Sequence, residues 1–291
     1  MKAPPFAYVR AASLADVFAQ WRAAGPDARL VAGGQTLLAS LAFRLSEPST
    51  LIDITRVPEL TGIAAADDGV RVGALTTHAE LGASEHVRQH VPLLVEAVPL
   101  IAHPAIRNRG TIGGSLAFAD PAAELPACCV ALDATIIARG SGGERRIPAA
   151  KFFTGLYATA LGEHELISGV EFPRAMPGER ATIIELARRS GDYAMAGVVA
   201  KADVSHGTLA DPRVVFFGVG ESPVVAKGAM ASLTDKPVTA EAIASAQGAL
   251  HADLDPPADQ HGGPEMKRHL AGVLLARALR RIAGTSEARA A

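Results

Sequence analysis

The sequence predicts an α+β fold in two domains. The chain has 291 residues, a length that suits roughly two domains of ~150 residues each. Hydrophobic residues make up 49% and charged residues 20%, which is enough apolar material for a sizeable core. From residue 181 the sequence changes to strand-like runs with short turns, and the segment AMPGE at 175–179 is the predicted linker. We therefore predict a first domain over 1–174, with subdomains of about 1–56 and 57–174, and a second over 179–285.

The first subdomain is predicted from a helix and two strands around a glycine turn. LADVFAQWRAA at 14–24 has helical periodicity, Ser13 suits its N-cap, and Gly25-Pro26 ends it. ARLVAGGQ is typical of a buried strand running into a glycine turn. A helix is predicted over 36–45, beginning at Thr36, and a strand over 50–57.

The rest of the first domain alternates strands and helices. A strand is predicted over 69–77, helical segments over 81–102 divided near Pro92, and a short helix over 126–132. Strands are predicted over 134–140 and 166–173, with SGGERR between them as a turn.

The second domain is predicted to hold a three-stranded antiparallel sheet and two helices. ATIIELARR, AGVVAKADVS and PRVVFFGVG are three strand-like runs joined by short turns. Helices follow over 239–250 and 264–283. The last helix carries Lys267, Arg268 and three further arginines, which form either a solvated face or a subunit contact.

The bulk numbers exclude several classes of function. The formal net charge of -2 gives no reason to expect nucleic acid or an anionic membrane as a partner. The N-terminus MKAPPFAYVR lacks the apolar region of a secretory signal, and no apolar run reaches the ~18–20 residues of a membrane span. The two cysteines, Cys128 and Cys129, are adjacent and cannot form a disulfide framework. A cytoplasmic location is the expectation.

Two glycine loops are the main candidates for chemistry. AGGQT at 32–36 and TIGGS at 111–115 each place consecutive backbone N–H groups near the start of a helix or turn. Glycines without Cβ let a phosphate oxygen approach the main chain, and hydrogen bonds to a charged acceptor contribute roughly 1.5–3 kcal/mol each. Neither loop matches a P-loop or a Rossmann fingerprint. One glycine pair is usually only a turn, but two favour a split site for a large diphosphate cofactor. The loop residues with these properties are Gly33, Gly34, Thr36, Thr111, Gly113, Gly114 and Ser115.

Other polar residues have both an ordinary and a functional interpretation. Asp120 precedes Pro121, as a turn or cap residue does, and Glu124 suits the positive end of a helix. Arg107 and Arg109 flank the second loop and are either solvated, or turned toward the cofactor's phosphates or an acidic partner.

No metal site or hydrolytic triad is predicted. His86 and His90 have the spacing of metal ligands on a helix, but no third ligand is placed to complete a site. No Ser-His-Asp or Cys-His arrangement can be argued from spacing.

Four stretches together resemble a known family. AGGQTLL, IRNRGTIGGSLAFADPAAELPA, RRSGDYAMA and EMKRHLAGVLLARAL resemble the FAD-binding subunit of molybdenum hydroxylases. That group includes the medium subunit of aerobic carbon monoxide dehydrogenase and the flavin module of xanthine dehydrogenase. The similarity covers essentially the whole chain, in order and at matching spacing.

The resemblance implies a fold and a cofactor site. The fold would be the flavin domain shared with vanillyl-alcohol oxidase, followed by a smaller α/β domain. FAD would lie extended, with its diphosphate against both loops, Asp120 and Glu124 near its ribityl or ribose hydroxyls, and Ile101 and Tyr193 near its isoalloxazine ring. Without the resemblance, Tyr193 would be read as a half-buried strand residue. The loop residues implied are Ala32, Gly33, Gly34, Gln35, Thr36, Thr111, Ile112, Gly113, Gly114 and Ser115.

Four residues depart from the family's usual ones. Gln35-Thr36 stands where the first loop often has His-Ser, Ser115 where Asn is common, and Glu124 where Asp is common. All keep hydrogen-bonding ability, so FAD binding is still expected. Gly33→Val or Gly114→Val is predicted to abolish FAD retention and leave the fold largely intact.

The resemblance also implies the function and the partners. The chain would be the medium subunit of a hydroxylase whose large subunit carries a molybdopterin cofactor and whose small subunit carries [2Fe–2S] clusters. Its two cysteines are too few for a cluster of its own, which usually takes four. Electrons would pass through FAD to NAD+, a quinone or another acceptor. Two alternatives stay open: a free-standing flavin oxidase or dehydrogenase, and an assembly subunit that has lost its cofactor.

Overall fold

The N-terminal segment folds around a three-stranded parallel sheet. The computed structural model describes residues 2–66, 68–260 and 262–284. The strands pair in the order β1-β3-β2. As predicted, Ser13 caps the first helix by accepting a hydrogen bond from the Asp16 amide, and Gly25 ends that helix with a φ of 80°. The elements are β1 (Ala7–Arg10), α1 (Leu14–Ala24), β2 (Ala28–Val31), α2 (Leu37–Ala42) and β3 (Thr50–Asp53).

A second segment packs short helices against a five-stranded antiparallel sheet. The strand order is β4-β5-β10-β6-β7. In order, the elements are β4 (Ile63–Ala66), β5 (Gly69–Gly73), α3 (His78–Ala83), α4 (Glu85–His90), α5 (Pro92–Ala97), α6 (Pro104–Arg107), α7 (Ile112–Phe118), α8 (Glu124–Ala131), β6 (Thr135–Gly140), β7 (Gly143–Pro148), β8 (Phe153–Gly155), β9 (Ala158–Thr159) and β10 (Leu166–Pro173).

The predicted turn SGGERR is largely a strand. Only Ser141 and Gly142 separate β6 from β7, and Gly143 has a φ of 122°. Two-residue connections are common in β-hairpins, and charged residues are common on edge strands. Arg145 pairs with Glu165, just before β10, and Arg146 pairs with Glu171 on β10. The prediction was wrong in its extent, because the turn occupies only Ser141 and Gly142 and the residues from Gly143 onward pair with β6.

The C-terminal segment has one antiparallel sheet covered on both faces. Three long strands form it as predicted, but two further strands of two residues pair with β13, so the sheet has five strands rather than three. Strands of two residues are too short to show periodicity. The elements are β11 (Glu179–Ala187), β12 (Ala194–Ser205), β13 (Thr208–Phe217), β14 (Val224–Val225), α9 (Lys227–Leu233), β15 (Lys236–Pro237), α10 (Ala240–Asp253) and α11 (Pro264–Ala283).

The buried side chains form three clusters that join the segments. One lies in the N-terminal segment around Val17 and Ile52. A central cluster joins α8 to the inner face of the C-terminal sheet, and includes Val199 and Phe217. The third fills the space between the same sheet and α10 and α11. The C-terminal sheet is therefore a layer between α8 and the last two helices.

Candidate functional site

The first glycine loop presents backbone donors that no protein group uses. Residues 32–36 connect β2 to α2, and Gly34 has a φ of 72°. The N–H groups of residues 33–36 donate to no acceptor among the described residues. Backbone donors need partners, so this loop offers a row of amides to a bound anion or to water. Its Gln35 side chain folds back, donating to the Gly33 carbonyl at 3.0 Å.

Gly33 is where the two loops touch. A Cβ at this position would lie 2.0 Å from the carbonyl oxygen of Arg109, which is two residues before the second loop. The glycine is thus required by contact between the loops, not only by the approach of a phosphate. Gly33→Val would force the backbone at this contact to shift, so we expect it to cost stability as well as FAD retention.

In the second loop, the backbone amides of residues 112–115 already donate hydrogen bonds within the protein. The Thr111 hydroxyl accepts from the Gly114 amide at 3.1 Å, which caps α7. The amides of Ile112 and Gly113 donate to carbonyls of residues 76 and 74, and that of Ser115 donates to Thr111. The two loops are therefore not equivalent cradles. The second offers the Thr111 and Ser115 hydroxyls and the exposed backbone of Gly114.

His78 lies beside the second loop and was missed by the sequence analysis. Its amide donates to the Gly110 carbonyl at 2.9 Å, and a Cβ on Gly110 would lie 2.8 Å from its ring. The side chain is buried, and Nδ1 has no hydrogen-bond partner among the described residues. Burial, with a contribution from the positive charge of Arg107, lowers the pKa of His78 to about 4. The ring is therefore neutral near pH 7.

Three carboxyl groups with raised pKa values influence one another, and two of them were predicted as site residues. Asp120 accepts from the Ala122 amide at 2.9 Å, so it does act as a turn residue, and burial raises its pKa. Glu124 begins α8 and is buried, which raises its pKa to about 7. Glu185, on β11, was missed. Its Oε2 is buried without a partner among the described residues, and burial, together with the charge of Glu124, raises its pKa to about 8.

The chain segments that carry Ile101 and Tyr193 meet at a glycine contact. Gly191 has a φ of 77°, and a Cβ there would lie 2.5 Å from the carbonyl oxygen of Ala102. Tyr193 follows in the loop before β12 and is 58% exposed, so it is not a half-buried strand residue. Arg107 donates to the carbonyls of Ile101 and Ala102 at 2.8 and 2.9 Å. Arg107 therefore fixes the backbone of residues 101 and 102, and its side chain is not simply solvated.

Two exposed aromatic rings, those of Phe118 and Tyr157, lie near Asp120. The rings of Phe118, the last residue of α7, and Tyr157 have centroids 5.0 Å apart. Burial and the charge of Asp120 raise the pKa of Tyr157. Exposed aromatic rings grouped in this way commonly mark a binding surface. Nothing in the residue spacing placed Tyr157 beside α7.

The cysteines and the spaced histidines of the sequence form no binding site of their own among the described residues. Cys128 and Cys129 are buried free thiols, and burial raises the pKa of both. His86 and His90 contact each other edge to face, with ring centroids 4.7 Å apart. No group of three or more His, Cys, Asp and Glu suited to a metal was found in the described ranges. Within the same ranges, no helix combines the length and apolar character needed to cross a membrane.

Comparison with known protein families covers nearly the whole chain. Residues 4–175 match the family of the FAD binding domain in molybdopterin dehydrogenase. Residues 181–282 match the CO dehydrogenase flavoprotein C-terminal domain. The two matches follow each other without overlap, on either side of the predicted linker.

Individual relatives match over their full length. The chain is 39% identical to the 6-hydroxypseudooxynicotine dehydrogenase complex subunit alpha of Paenarthrobacter nicotinovorans, over 99% of both chains. It is 36% identical to the carbon monoxide dehydrogenase medium chain of Hydrogenophaga pseudoflava, over 95% of this chain and 96% of the relative.

Solved structures agree with these matches. A structure of carbon monoxide dehydrogenase from Hydrogenophaga pseudoflava superposes with a TM-score of 0.95 at 36% identity, covering 99% of this chain and all of the other. Quinoline 2-oxidoreductase from Pseudomonas putida 86 superposes with a TM-score of 0.93 at 37% identity, covering 98% of this chain and 99% of the other. This chain belongs to the family of FAD-binding medium subunits of molybdenum hydroxylases and is an oxidoreductase subunit that binds FAD.

Proposed function

We propose that the chain passes electrons from the [2Fe–2S] clusters of a small partner subunit through FAD to an external acceptor such as NAD+ or a quinone. The complex would also contain a large subunit with a molybdopterin cofactor. FAD supplies the redox chemistry, since it accepts electrons singly or in pairs, and the protein supplies binding and orientation. The two cysteines of the chain are buried, so the clusters are assigned to another polypeptide.

The proposed FAD site is built on the free amides of the first loop. Residues 32–36 hold the diphosphate, because their N–H groups are unused and point to no protein acceptor within the described ranges. This is the observation that supports the assignment most directly. Thr111, Gly114 and Ser115 add hydroxyls and open backbone, while Ile112 and Gly113 form the buried base on which the loop rests.

The remaining contacts with FAD are assigned from the chemical character of the side chains. Asp120 and Glu124 are placed at the ribityl or ribose hydroxyls. Glu124 has a pKa of about 7, so near neutral pH its carboxyl can donate or accept a hydrogen bond. Ile101 and Tyr193 are placed at the isoalloxazine ring, since Tyr193 is exposed and Gly191 packs against Ala102, next to Ile101. No side chain has to act as a general acid or base.

The domain boundaries are part of the proposal. The first domain is taken as residues 1–174, with subdomains of about 1–56 and 57–174, and the second as 179–285. The N-terminal buried cluster supports the first subdomain. Residue 285, the last of the proposed second domain, lies outside the described residues.

An exposed apolar patch supports binding to a partner subunit. Leu38, Phe43 and Leu45, on α2 and just after it, are 50%, 64% and 80% exposed. Contiguous exposed apolar side chains commonly mark protein interfaces. This patch follows the first glycine loop directly, so a partner bound there would approach the proposed FAD site.

The test is purification of the complex with the products of neighbouring genes. We expect FAD, iron and molybdenum to purify together with this chain. A double change, Phe43→Ser with Leu45→Ser, should weaken copurification, whereas Met176→Ser, at an exposed linker residue, should not. A complex that contains neither iron–sulfur clusters nor molybdenum would contradict the proposal.

A further inference from the structure

Lys267 is a buried lysine on α11 whose side chain points toward the proposed site. The residue is only 2% exposed, so it is not part of a solvated face or a subunit contact. Its Nζ donates to the carbonyl oxygen of Gly218 at 3.1 Å and to Asp259 Oδ2 at 2.5 Å. A buried ammonium group is costly unless it is paired and hydrogen-bonded, and here both conditions are met.

Gly218 connects this lysine to both halves of the proposed site. Its amide donates to the carbonyl oxygen of Pro121 at 2.7 Å, and Pro121 follows Asp120. Gly218 has a φ of 74°, and a Cβ there would lie 2.8 Å from the carbonyl oxygen of Ala194, which follows Tyr193. A shift of Gly218 would therefore move both segments.

The turn at Asp259 and Gln260, which also binds the Lys267 ammonium group, is hydrogen-bonded to the segment before Tyr193. Arg188 donates to the carbonyl oxygen of Gln260 at 2.8 Å, and Gln260 follows Asp259. Arg188 lies on the chain segment that runs from β11 to Tyr193. The Asp259–Gln260 turn is thus hydrogen-bonded both to Lys267 and to Arg188, which precedes Tyr193 on the same segment.

We propose that Lys267 is a positioning residue for the FAD site: by fixing the Gly218 carbonyl, it sets the places of the Asp120–Pro121 turn and of Tyr193. The proposal rests on the FAD site assigned above. Lys267 contacts neither of those two side chains, so it acts through Gly218. Its removal would leave a buried carbonyl oxygen without a donor, and buried backbone groups rarely stay unpaired.

The test compares Lys267→Met with Lys201→Met. Lys201 lies on β12 of the same sheet, where it forms an ion pair with Glu179 at 3.3 Å, seven residues along the strand from Ala194. Both changes remove one mostly buried ammonium group. Only the first touches Gly218, so Lys201→Met controls for a general loss of stability.

Two measurements separate positioning from stability. Hydrogen exchange, on the full chain without FAD, should show faster exchange in peptides covering 117–125 and 190–197 for Lys267→Met alone. With FAD added, the same variant should bind it about tenfold more weakly, the loss expected for one buried hydrogen bond, and should change the visible circular dichroism of the flavin. Lys267→Arg, which keeps donors at this position, should restore much of both signals.

The outcomes are distinguishable. A folded Lys267→Met chain with wild-type exchange, FAD affinity and flavin spectrum would overturn the proposal, as would equal effects of Lys201→Met. If Lys267→Met does not fold, Asp259→Asn keeps the lysine but weakens its anchor, and should give smaller changes of the same kind; wild-type behaviour would overturn the proposal. If Asp120→Ala and Tyr193→Ala both leave FAD binding unchanged, the site assignment fails, while the exchange data still judge the role of Lys267.

Discussion

Glu185 shows how burial alone can change the chemistry of one residue. On β11, its backbone pairs opposite Gly197 in a regular antiparallel register. The strand periodicity was predictable from ATIIELARR. It was not predictable that one oxygen of Glu185 would lie buried near Glu124 with no hydrogen-bond partner in the described part of the chain. That proximity depends on how the C-terminal sheet packs against α8, which local sequence does not encode.

The raised pKa of Glu185 makes stability depend on pH. The pKa rises from an ordinary value of 4.5 to about 8, so between these values the folded chain holds a proton that the unfolded chain has lost. The stabilisation is complete below pH 4.5 and disappears as the pH rises through 8. Glu185→Gln cannot ionise, so we expect it to melt about 2–4 °C above wild type at pH 8.5 and close to wild type at pH 5.

Thermal unfolding of the FAD-free chain at both pH values checks this prediction. Glu47→Gln, at an exposed position, is the matched control and should track wild type throughout. A constant offset between Glu185→Gln and wild type would mean that the carboxyl does not titrate in this range.

At the scale of elements, the two glycine loops look alike in sequence but differ in structure. Each connects to a helix start, as predicted. Local sequence could not tell that the first keeps its amides free while those of the second are bound by backbone carbonyls of residues 74 and 76. Those acceptors lie more than 30 residues away along the chain, and only the tertiary fold brings them to the loop.

The contacts at the two loops predict different losses of stability for two alanine substitutions. Gly33→Ala places a Cβ 2.0 Å from the Arg109 carbonyl oxygen. Because backbone must move to relieve that contact, we expect a loss of about 2–4 kcal/mol in unfolding free energy together with weaker FAD binding. Gly114→Ala meets only the Thr111 hydroxyl, at 2.9 Å, in a helix where alanine is favoured by up to ~1 kcal/mol. Its stability should stay within about 1 kcal/mol of wild type while FAD content falls.

Denaturant unfolding of the FAD-free chains, followed by FAD titration, separates the two effects. Parallel losses of stability and of FAD affinity in both variants would show that the loops serve one purpose. Unchanged FAD affinity in Gly114→Ala would remove the second loop from the proposed site.

Residues that cap or end a helix predicted secondary structure correctly, whereas charged residues did not reveal their surroundings in the fold. Ser13 and Gly25 act within one helix, so their roles could be read from neighbouring residues. Lys267 was assigned to a solvated face or a subunit contact, and the arginines of β7 to a turn. Lys267 has its acceptors on Gly218 and Asp259, in other parts of the chain. Burial of a charge is decided by such distant partners, not by local pattern.

At the scale of the whole molecule, Glu96 links the first segment to the C-terminal sheet. It lies on α5, and its Oε1 accepts from the Thr182 hydroxyl at 2.7 Å and from the Ile183 amide at 3.3 Å, both on β11. Arg281, on α11, pairs with the same oxygen at 3.2 Å. One carboxylate oxygen therefore joins three elements that are far apart in sequence.

Two changes at Glu96 separate its hydrogen bonds from its charge. Glu96→Ala leaves the Thr182 hydroxyl, in a residue only 1% exposed, without its acceptor, so we expect a loss of about 2–3 kcal/mol in unfolding free energy. Glu96→Gln keeps an acceptor oxygen and removes only the ion pair with Arg281. That arginine side chain is 59% exposed, and exposed pairs contribute about 0–1 kcal/mol.

Calorimetric unfolding of the full chain measures both variants. Glu96→Ala should lower the melting temperature clearly, and any separation of the transition into two steps would show that α5 and the C-terminal sheet unfold together only through this contact. Glu96→Gln should remain near wild type. Equal losses in the two variants would mean that charge holds the segments together, in which case raising the salt concentration should reproduce the loss in wild type, because salt screens exposed ion pairs.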